Sequence, residues 1–523
     1  MDIKYAVGIT ESEVTIPGII QSQYYSKNSS PKIALISNTT HTVYMKLLAT
    51  LQSFSNQLAY LSTNTIIANF TFPPQSGFSF ENDSSSPVYI WRWITINAPD
   101  IVIEVDHSEN KDNVLFKGFN DDHFLFNVPK HELVSSGSLS DALSSGTGQT
   151  PGSIPVVILT GSLKHIETKL KELLTTISNN PPIMSAAGEE IAKRQNRTPL
   201  EVSRVLGSVY GYKLDEPINY VQGVSISGRL RLHNLDINYQ NPTYDIAESV
   251  DFLLDDNKFN MNSKSGPNLA GMCWADELAQ TTNDKKWEAL VIKTAETYES
   301  NGKGKSPNPC DPDFGCEDMF FISTMLGRAY NLTRKNSYID LVTNYLKDAN
   351  TQQNNGLFWH NRITPYYWGR GNGFAAIAHT EALTYIPEKH PDRASIISSH
   401  IKHIDSLLSL QLPNGMWRQL LDLEGTYEEF SVTCMIGYSI ARGIRLGWLD
   451  KKYMKYLDKI WRAVSSRIDD TAGLVDVCTG TGFQGVKSDY IYRKGEYGYD
   501  DRGGSMAIWF STEMAKLLIE KGQ

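Results

Sequence analysis

Apolar residues change their spacing along the chain. In the first half they come as short unbroken runs: Ile33-Ala34-Leu35-Ile36, residues 65–72, residues 101–105, and Val156-Val157-Ile158-Leu159. Such runs predict buried strands. The last is followed by a helical pattern over 164–177, and alternation of strand with helix predicts an α/β domain. A stretch rich in Ser and Gly over 134–155 reads as a loop or linker, and Asn179-Asn180-Pro181-Pro182 breaks the chain again. From about residue 234 onward, apolar residues recur at steps of three and four. Residues 317–331, 338–350, 373–386, 394–410, 429–446 and 453–468 are among the segments that read as amphipathic helices.

These helices are joined in two ways. Plain polar turns end on an aromatic residue at Trp287, Tyr338 and Tyr453, and Lys389-His390-Pro391-Asp392 falls where another is expected. The spacing, about 50–60 residues, corresponds to two helices per unit. The other loops, 308–316, 356–373, 412–428 and 473–501, are long and rich in Gly, aromatic and ionisable residues. Hairpins with plain turns at one end and elaborate loops at the other predict a helical toroid whose functional face is the elaborate one. An open helical solenoid is the competing arrangement.

Composition narrows the function. A net charge of −9 argues against a nucleic-acid binder. No apolar run is long enough for a membrane-spanning helix. The start, Met1-Asp2-Ile3-Lys4, lacks a signal-peptide pattern. A cytoplasmic location is therefore expected, although Asn69-Phe70-Thr71 and Asn331-Leu332-Thr333 match a glycosylation triplet.

Three candidate chemistries fall away. Gly480-Thr481-Gly482-Phe483-Gln484-Gly485 matches the dinucleotide fingerprint formally. The next residues, Val486-Lys487-Ser488-Asp489-Tyr490, do not read as the crossover helix that such a site needs. Cys310 and Cys316 flank an acidic loop but lack further metal ligands at suitable spacing. No Ser stands in a nucleophile-elbow pattern.

The informative string is Gly356-Leu357-Phe358-Trp359-His360, with Trp368-Gly369-Arg370-Gly371-Asn372-Gly373-Phe374 shortly after it. Glycines beside Arg370 allow close backbone approach, and the guanidinium fork suits a carboxylate. A hairpin loop whose Arg caps helix ends fits the residues equally well. Further strings occur in order along the chain: Glu317-Asp318-Met319-Phe320-Phe321, Gly415-Met416-Trp417-Arg418-Gln419, Thr426-Tyr427-Glu428-Glu429-Phe430 and Asp500-Asp501-Arg502-Gly503-Gly504. Together they resemble glycoside hydrolase family 105, the unsaturated rhamnogalacturonyl hydrolases, and the related family 88 unsaturated glucuronyl hydrolases, over residues 240–523.

The resemblance implies a mainly α fold, an (α/α)6 barrel of the six-hairpin glycosidase type over 235–523, preceded by the α/β domain over 1–210. It implies release of a 4,5-unsaturated uronic acid from the non-reducing end of lyase-generated oligosaccharides by vinyl-ether hydration, as in pectin degradation. The substrate is then an oligosaccharide, with no metal, cofactor, nucleic acid or membrane partner. The family's catalytic Asp maps by register to Glu317 and by residue type to Asp318. Adjacent helical residues diverge by about 100°, so only one is expected to face the barrel mouth. Capping of the helix N-terminus accounts for either carboxylate as well. The resemblance makes His360, Arg370, Asn372 and Glu429 substrate-binding candidates, with Trp368 and Trp417 as stacking platforms. A non-catalytic acidic-glycan-binding protein on the same barrel is the alternative. It would lack a carboxyl facing His360 and Arg370.

The first domain faintly resembles zinc carboxypeptidase-like domains through Ile33–Ile36, Trp91-Arg92-Trp93 and Ala98-Pro99-Asp100-Ile101-Val102. His41 is not followed by the Glu that zinc binding needs there. This domain is expected to be non-catalytic.

Overall fold

The computed structural model describes residues 2–522 apart from 11–12, 22–23, 26–30, 38–42, 44–45, 48, 51–53, 55–56, 63–70, 75–84, 108–110, 120–136, 148–149, 216, 237 and 255–264. The chain divides into two compact units, Met1–Asn196 with Leu423–Tyr427, and Arg197–Asp422 with Glu428–Gln523.

The first unit is built on a seven-stranded sheet in the order β1-β2-β4-β3-β5-β7-β6. Its strands are β1 (Asp2–Ile9), β2 (Thr15–Gln21), β3 (Lys32–Ser37), β4 (Gln57–Ser62), β5 (Ile101–Asp106), β6 (Asn113–Lys117) and β7 (Val156–Thr160). Strands β4, β3, β5 and β7 run parallel, and β1, β2 and β6 add antiparallel pairs at the flanks. The central strands are buried along most of their length, which is why they read as continuous apolar runs. Its helices are α1 (Ser85–Asn97), α2 (Leu139–Ser145), α3 (Leu163–Asn179) and α4 (Ala186–Asn196). Helix α3 lays Ile166, Leu170, Leu173, Leu174 and Ile177 against the sheet residues Ile33, Leu35, Ile103 and Val157.

One expectation needs correction here. The stretch 134–155 is not all loop: α2 forms inside it. Ser138 accepts a hydrogen bond from Asp141 N–H, and Gly146 closes the helix in the left-handed conformation. Ser and Gly there are cap residues. The Trp91-Arg92-Trp93 segment is a buried part of α1. Most of the expected strand over 65–72, and His41, lie outside the described residues.

The second unit is helical: α5 (Pro199–Gly207), α6 (Tyr220–Leu235), α7 (Thr243–Val250), α8 (Gly266–Ala270), α9 (Ala275–Thr282), α10 (Lys286–Ala295), α11 (Cys316–Thr333), α12 (Asn336–Asp348), α13 (Gly369–Tyr385), α14 (Arg393–Ser409), α15 (Phe430–Leu446), α16 (Met454–Ser466), α17 (Lys487–Ile491) and α18 (Asp501–Glu520). Short strands β8 (Trp417–Arg418) and β9 (Glu428–Glu429) pair, as do β10 (Leu474–Cys478) and β11 (Gly495–Gly498). Helices α6, α11, α13, α15 and α18 are buried almost all round. They pack in succession: α11 on α13, α13 on α15, α15 on α18, and α18 on α6. Helices α8 and α9 both pack on α6, and α8 also packs on α11. Helices α12, α14 and α16 each bury one stripe against this set.

The expected boundaries, 210 and 235, fall inside this unit. Helix α6 leaves no signal in the apolar spacing because it is buried on nearly every face and has no amphipathic stripe to detect. Helix α13 begins at Gly369, so the Gly-Arg-Gly-Asn-Gly string is helix rather than loop. A Cβ on Gly369 would stand 2.5 Å from the Arg418 carbonyl oxygen, and one on Gly373 would stand 2.5 Å from Met435 Sδ. Close approach, not helix propensity, demands those glycines.

A buried polar network joins these helices. Arg231 of α6 pairs with Glu277 of α9 at 2.9 Å. Arg328 of α11 pairs with Asp276 at 2.5 Å and with Glu277 at 3.1 Å. Glu381 of α13 accepts from Thr324 Oγ1 of α11, and from Tyr438 Oη and Arg442 Nη1 of α15. Arg445 of α15 pairs with Glu513 of α18 at 2.5 Å. Trp509 Nε1 of α18 donates to Ser227 Oγ of α6, which donates to Glu277. Arg328→Met leaves two buried carboxylates short of a cation. It is expected to lower the unfolding free energy by about 3–5 kcal/mol in urea denaturation. A loss under about 1 kcal/mol, the scale of a surface pair, would mean that the network does not hold these helices.

Candidate active site

A cavity of about 650 Å³ opens in the second unit. Its wall includes the first residues of four long helices: Tyr220 of α6, Glu317 and Asp318 of α11, Arg370 of α13, and Asp501 and Arg502 of α18. Helix N-termini carry positive partial charge from the peptide dipoles, which with Arg370 and Arg502 stands against the carboxyl groups of Asp215, Glu317, Asp318, Asp500 and Asp501 on the same wall. The remaining wall comes from residues 480–483, Tyr499 and Asp500 on the loop before α18, and from residues around Asn219 and Pro267.

Both candidate acids reach this cavity, contrary to the expectation that only one would. They occupy the first turn of α11 but use it differently. Glu317 Oε1 lies 2.9 Å from His360 Nε2. Its Oε2 is buried with no hydrogen-bond partner among the described residues. Asp318 is buried, and its Oδ2 accepts from Asp311 N–H at 2.8 Å. Asp311 in turn accepts from Asn361 Nδ2. Asp318 therefore also ties down the loop ahead of α11. Burial, with the neighbouring carboxylates adding, raises its pKa from 3.8 to about 7, against the opposing Asp311 N–H bond.

His360 is held from several sides. Its carbonyl accepts from Cys316 N–H, and its N–H donates to Tyr366 O. Its Nδ1 lies 2.5 Å from Tyr490 Oη. The ring sits 4.6 Å from both Trp368 and Phe483. Trp368 reaches the cavity wall but is buried, which leaves it little face for an open stacking platform. Arg370 is buried as well. Its Nη1 and Nη2 donate to the Cys478 and Thr479 carbonyls at 2.5 and 2.6 Å, so it anchors the loop at 478–479 besides lining the cavity. Arg502 is more exposed and pairs with Asp500. The two guanidiniums are within electrostatic reach and repel each other.

His360 is fully buried and does not line the cavity; neither do three other candidates, whose polar groups serve the fold. Asn372 Oδ1 accepts from Phe358 N–H, and its Nδ2 donates to the Phe358 and Trp368 carbonyls. That clamps the two halves of the signature string together. Trp417 is buried in the helix core, with Nε1 donating to Leu407 O. Glu429 caps α15 and also accepts from Cys478 N–H. Conversely, Tyr220, Phe483, Tyr499 and Arg502 line the cavity and are not among the candidates that the sequence offers. Arg502 sits in a string that carries the resemblance, and Phe483 sits in the glycine turn that matches a nucleotide motif only formally.

The second unit is thus a helical domain with a cavity lined by carboxylates and two guanidiniums, one of whose carboxylates, Glu317, pairs with the buried His360. Residues 363–518 match the family model described as Glycosyl Hydrolase Family 88. The chain is 30% identical over 157 residues to the unsaturated rhamnogalacturonyl hydrolase YesR of Bacillus subtilis (strain 168), covering 30% of this chain and 43% of that one. It is 32% identical over 109 residues to the unsaturated 3S-rhamnoglycuronyl hydrolase of Alteromonas sp. (strain LOR), covering 20% and 26%. The chain therefore spans less than half the length of these curated relatives. A family 105 glycoside hydrolase of C. acetobutylicum ATCC 824 superposes with a TM-score of 0.53 at 18% identity, covering 61% of this chain and 98% of that one. A possible family 105 member from Klebsiella pneumoniae gives a TM-score of 0.51 at 18% identity, covering 63% and 93%. These two likenesses are of fold. The resemblance read from the sequence motifs is borne out.

Asp318 has a consequence for stability. Its folded pKa exceeds its unfolded value, so the folded state holds the extra proton between about pH 4 and pH 7, and stability falls as pH rises through that window. Asp318→Asn keeps an acceptor for Asp311 N–H and does not titrate. The melting temperature of the variant minus that of the wild type is expected to grow from pH 4 to pH 7 and then level off. A flat or shrinking difference would contradict the burial account.

Proposed function

We propose that the second unit is an (α/α)6 barrel that hydrolyses oligosaccharides ending in a 4,5-unsaturated uronic acid. The observation that carries this is the environment of Glu317. One oxygen faces His360, the other is buried without a hydrogen-bond partner among the described residues, and the residue lines a cavity that also holds Arg370 and Arg502. The family model and the names of the relatives support the substrate class.

The sugar's double bond is an enol ether. Glu317 gives its proton to C4, and positive charge develops at C5, stabilised by the ring oxygen. Water adds at C5 and returns a proton to the Glu317 carboxylate. The resulting hemiketal opens and releases the next sugar. One carboxyl thus acts as acid and then base, unlike the two-carboxylate scheme of ordinary glycosidases. The uronate carboxylate docks toward Arg370 and Arg502, where an anion relieves their mutual repulsion. Asp318 is protonated over much of the range below pH 7, so Asn mimics it closely.

Loss of the enol ether's ultraviolet absorbance measures the reaction on unsaturated rhamnogalacturonan, heparinoid and ulvan disaccharides. Glu317→Gln is expected to lower turnover at least about 100-fold, the scale of a lost general acid. Asp318→Asn is expected to stay within an order of magnitude of wild type. The reverse ranking would move the acid to Asp318. A flat wild-type trace with binding retained would favour a glycan-binding protein.

A further inference from the structure

We infer that Tyr490 is a positioning residue that fixes which nitrogen of His360 carries the proton, and so which oxygen of Glu317 carries its transferable proton; this rests on reading Glu317 as the acid. Tyr490 lies in α17, 130 residues beyond His360. It is fully buried. Its Oη sits 2.5 Å from His360 Nδ1 and accepts from Gln484 N–H at 3.2 Å. Gln419 Nε2 donates to its backbone carbonyl at 2.7 Å, and its ring packs on those of His360 and Tyr366.

A phenol has one proton to give. The Gln484 N–H can only donate, so that proton goes to His360 Nδ1. Burial pushes the phenol pKa well above its usual value, which keeps the proton on the oxygen. His360 then carries its own proton on Nε2 and donates it to Glu317 Oε1. With Oε1 engaged as an acceptor, the transferable proton of Glu317 belongs on Oε2, which has no other hydrogen-bond partner among the described residues. The opposite tautomer would leave the Tyr490 proton without an acceptor in a buried place, at a free-energy cost. It would also draw the Glu317 proton onto Oε1, where His360 Nε2 would hold it in a hydrogen bond. The glycine turn 480–485 has a role here, since it brings the Gln484 N–H to Tyr490.

The test is nitrogen-15 NMR of the histidine-labelled full chain, with His360 assigned from the signal missing in His360→Asn, beside kinetics of Tyr490→Phe. The wild type is expected to show the Nε2–H tautomer at His360. Tyr490→Phe is expected to lose that preference and to lower kcat about tenfold, with KM within about twofold. An Nδ1–H tautomer in the wild type overturns the proposal. So does a variant whose tautomer and turnover are unchanged. If the wild type acts on no unsaturated oligosaccharide, the hydrolase reading fails, and the wild-type tautomer still decides the role of Tyr490.

Discussion

The helical unit depends on buried charges that must all be matched. Arg231, Arg328, Arg442 and Arg445 face Asp276, Glu277, Glu381 and Glu513, and the links run through α6, α9, α11, α13, α15 and α18. A buried charge is tolerated only with its partner in place. No one of these helices can be displaced without stranding a charge on a neighbour. Apolar packing alone would tolerate sliding; a set of ion pairs fixes each helix along its axis. Arg231, Arg328, Glu381, Arg442 and Arg445 lie toward the C-terminal ends of their helices, whereas the cavity is lined by residues at helix N-termini. The network therefore fixes, from the far ends, the register of the turns that carry Glu317, Arg370 and Arg502.

That arrangement bears on how an acidic chain could hold an acidic sugar. The net charge is −9, and the cavity wall itself includes Asp215, Asp500 and Asp501. Against them stand two guanidiniums and the positive ends of four long helices. Local field rather than net charge decides what enters a cleft. The signature glycines serve the same end by a different route. By allowing α13 to start against the Arg418 carbonyl, they set Arg370 at the wall and leave its fork to hold the loop at 478–479.

Much of this was legible in the chain, and the failures have physical causes. The outer helices announced themselves because each has one buried stripe, and the central strands because both faces are covered. Helix α6 was invisible for the opposite reason: a helix buried all round has no period. Asn372, Trp417 and Glu429 belong to strings shared with a family of enzymes, yet a motif residue that packs and one that touches substrate look alike in sequence. Glu317 and Asp318 could not be separated by the angle between neighbouring helical positions, since both reach the wall at the start of α11. Only their partners distinguish them: His360 for one, the Asp311 N–H for the other. Tyr490 lies too far along the chain from His360 for any local pattern to join them.

The central claim is that the reaction begins with proton delivery from the cavity wall to C4 of an unsaturated uronyl unit. Turnover of an unsaturated rhamnogalacturonan disaccharide in heavy water, sampled early and read by mass spectrometry and proton NMR, tests it directly. The account predicts one deuterium at C4 of the released uronate, on a single face of the sugar, and loss of the double bond. Release of the second sugar with the double bond intact and no deuterium at C4 would contradict it.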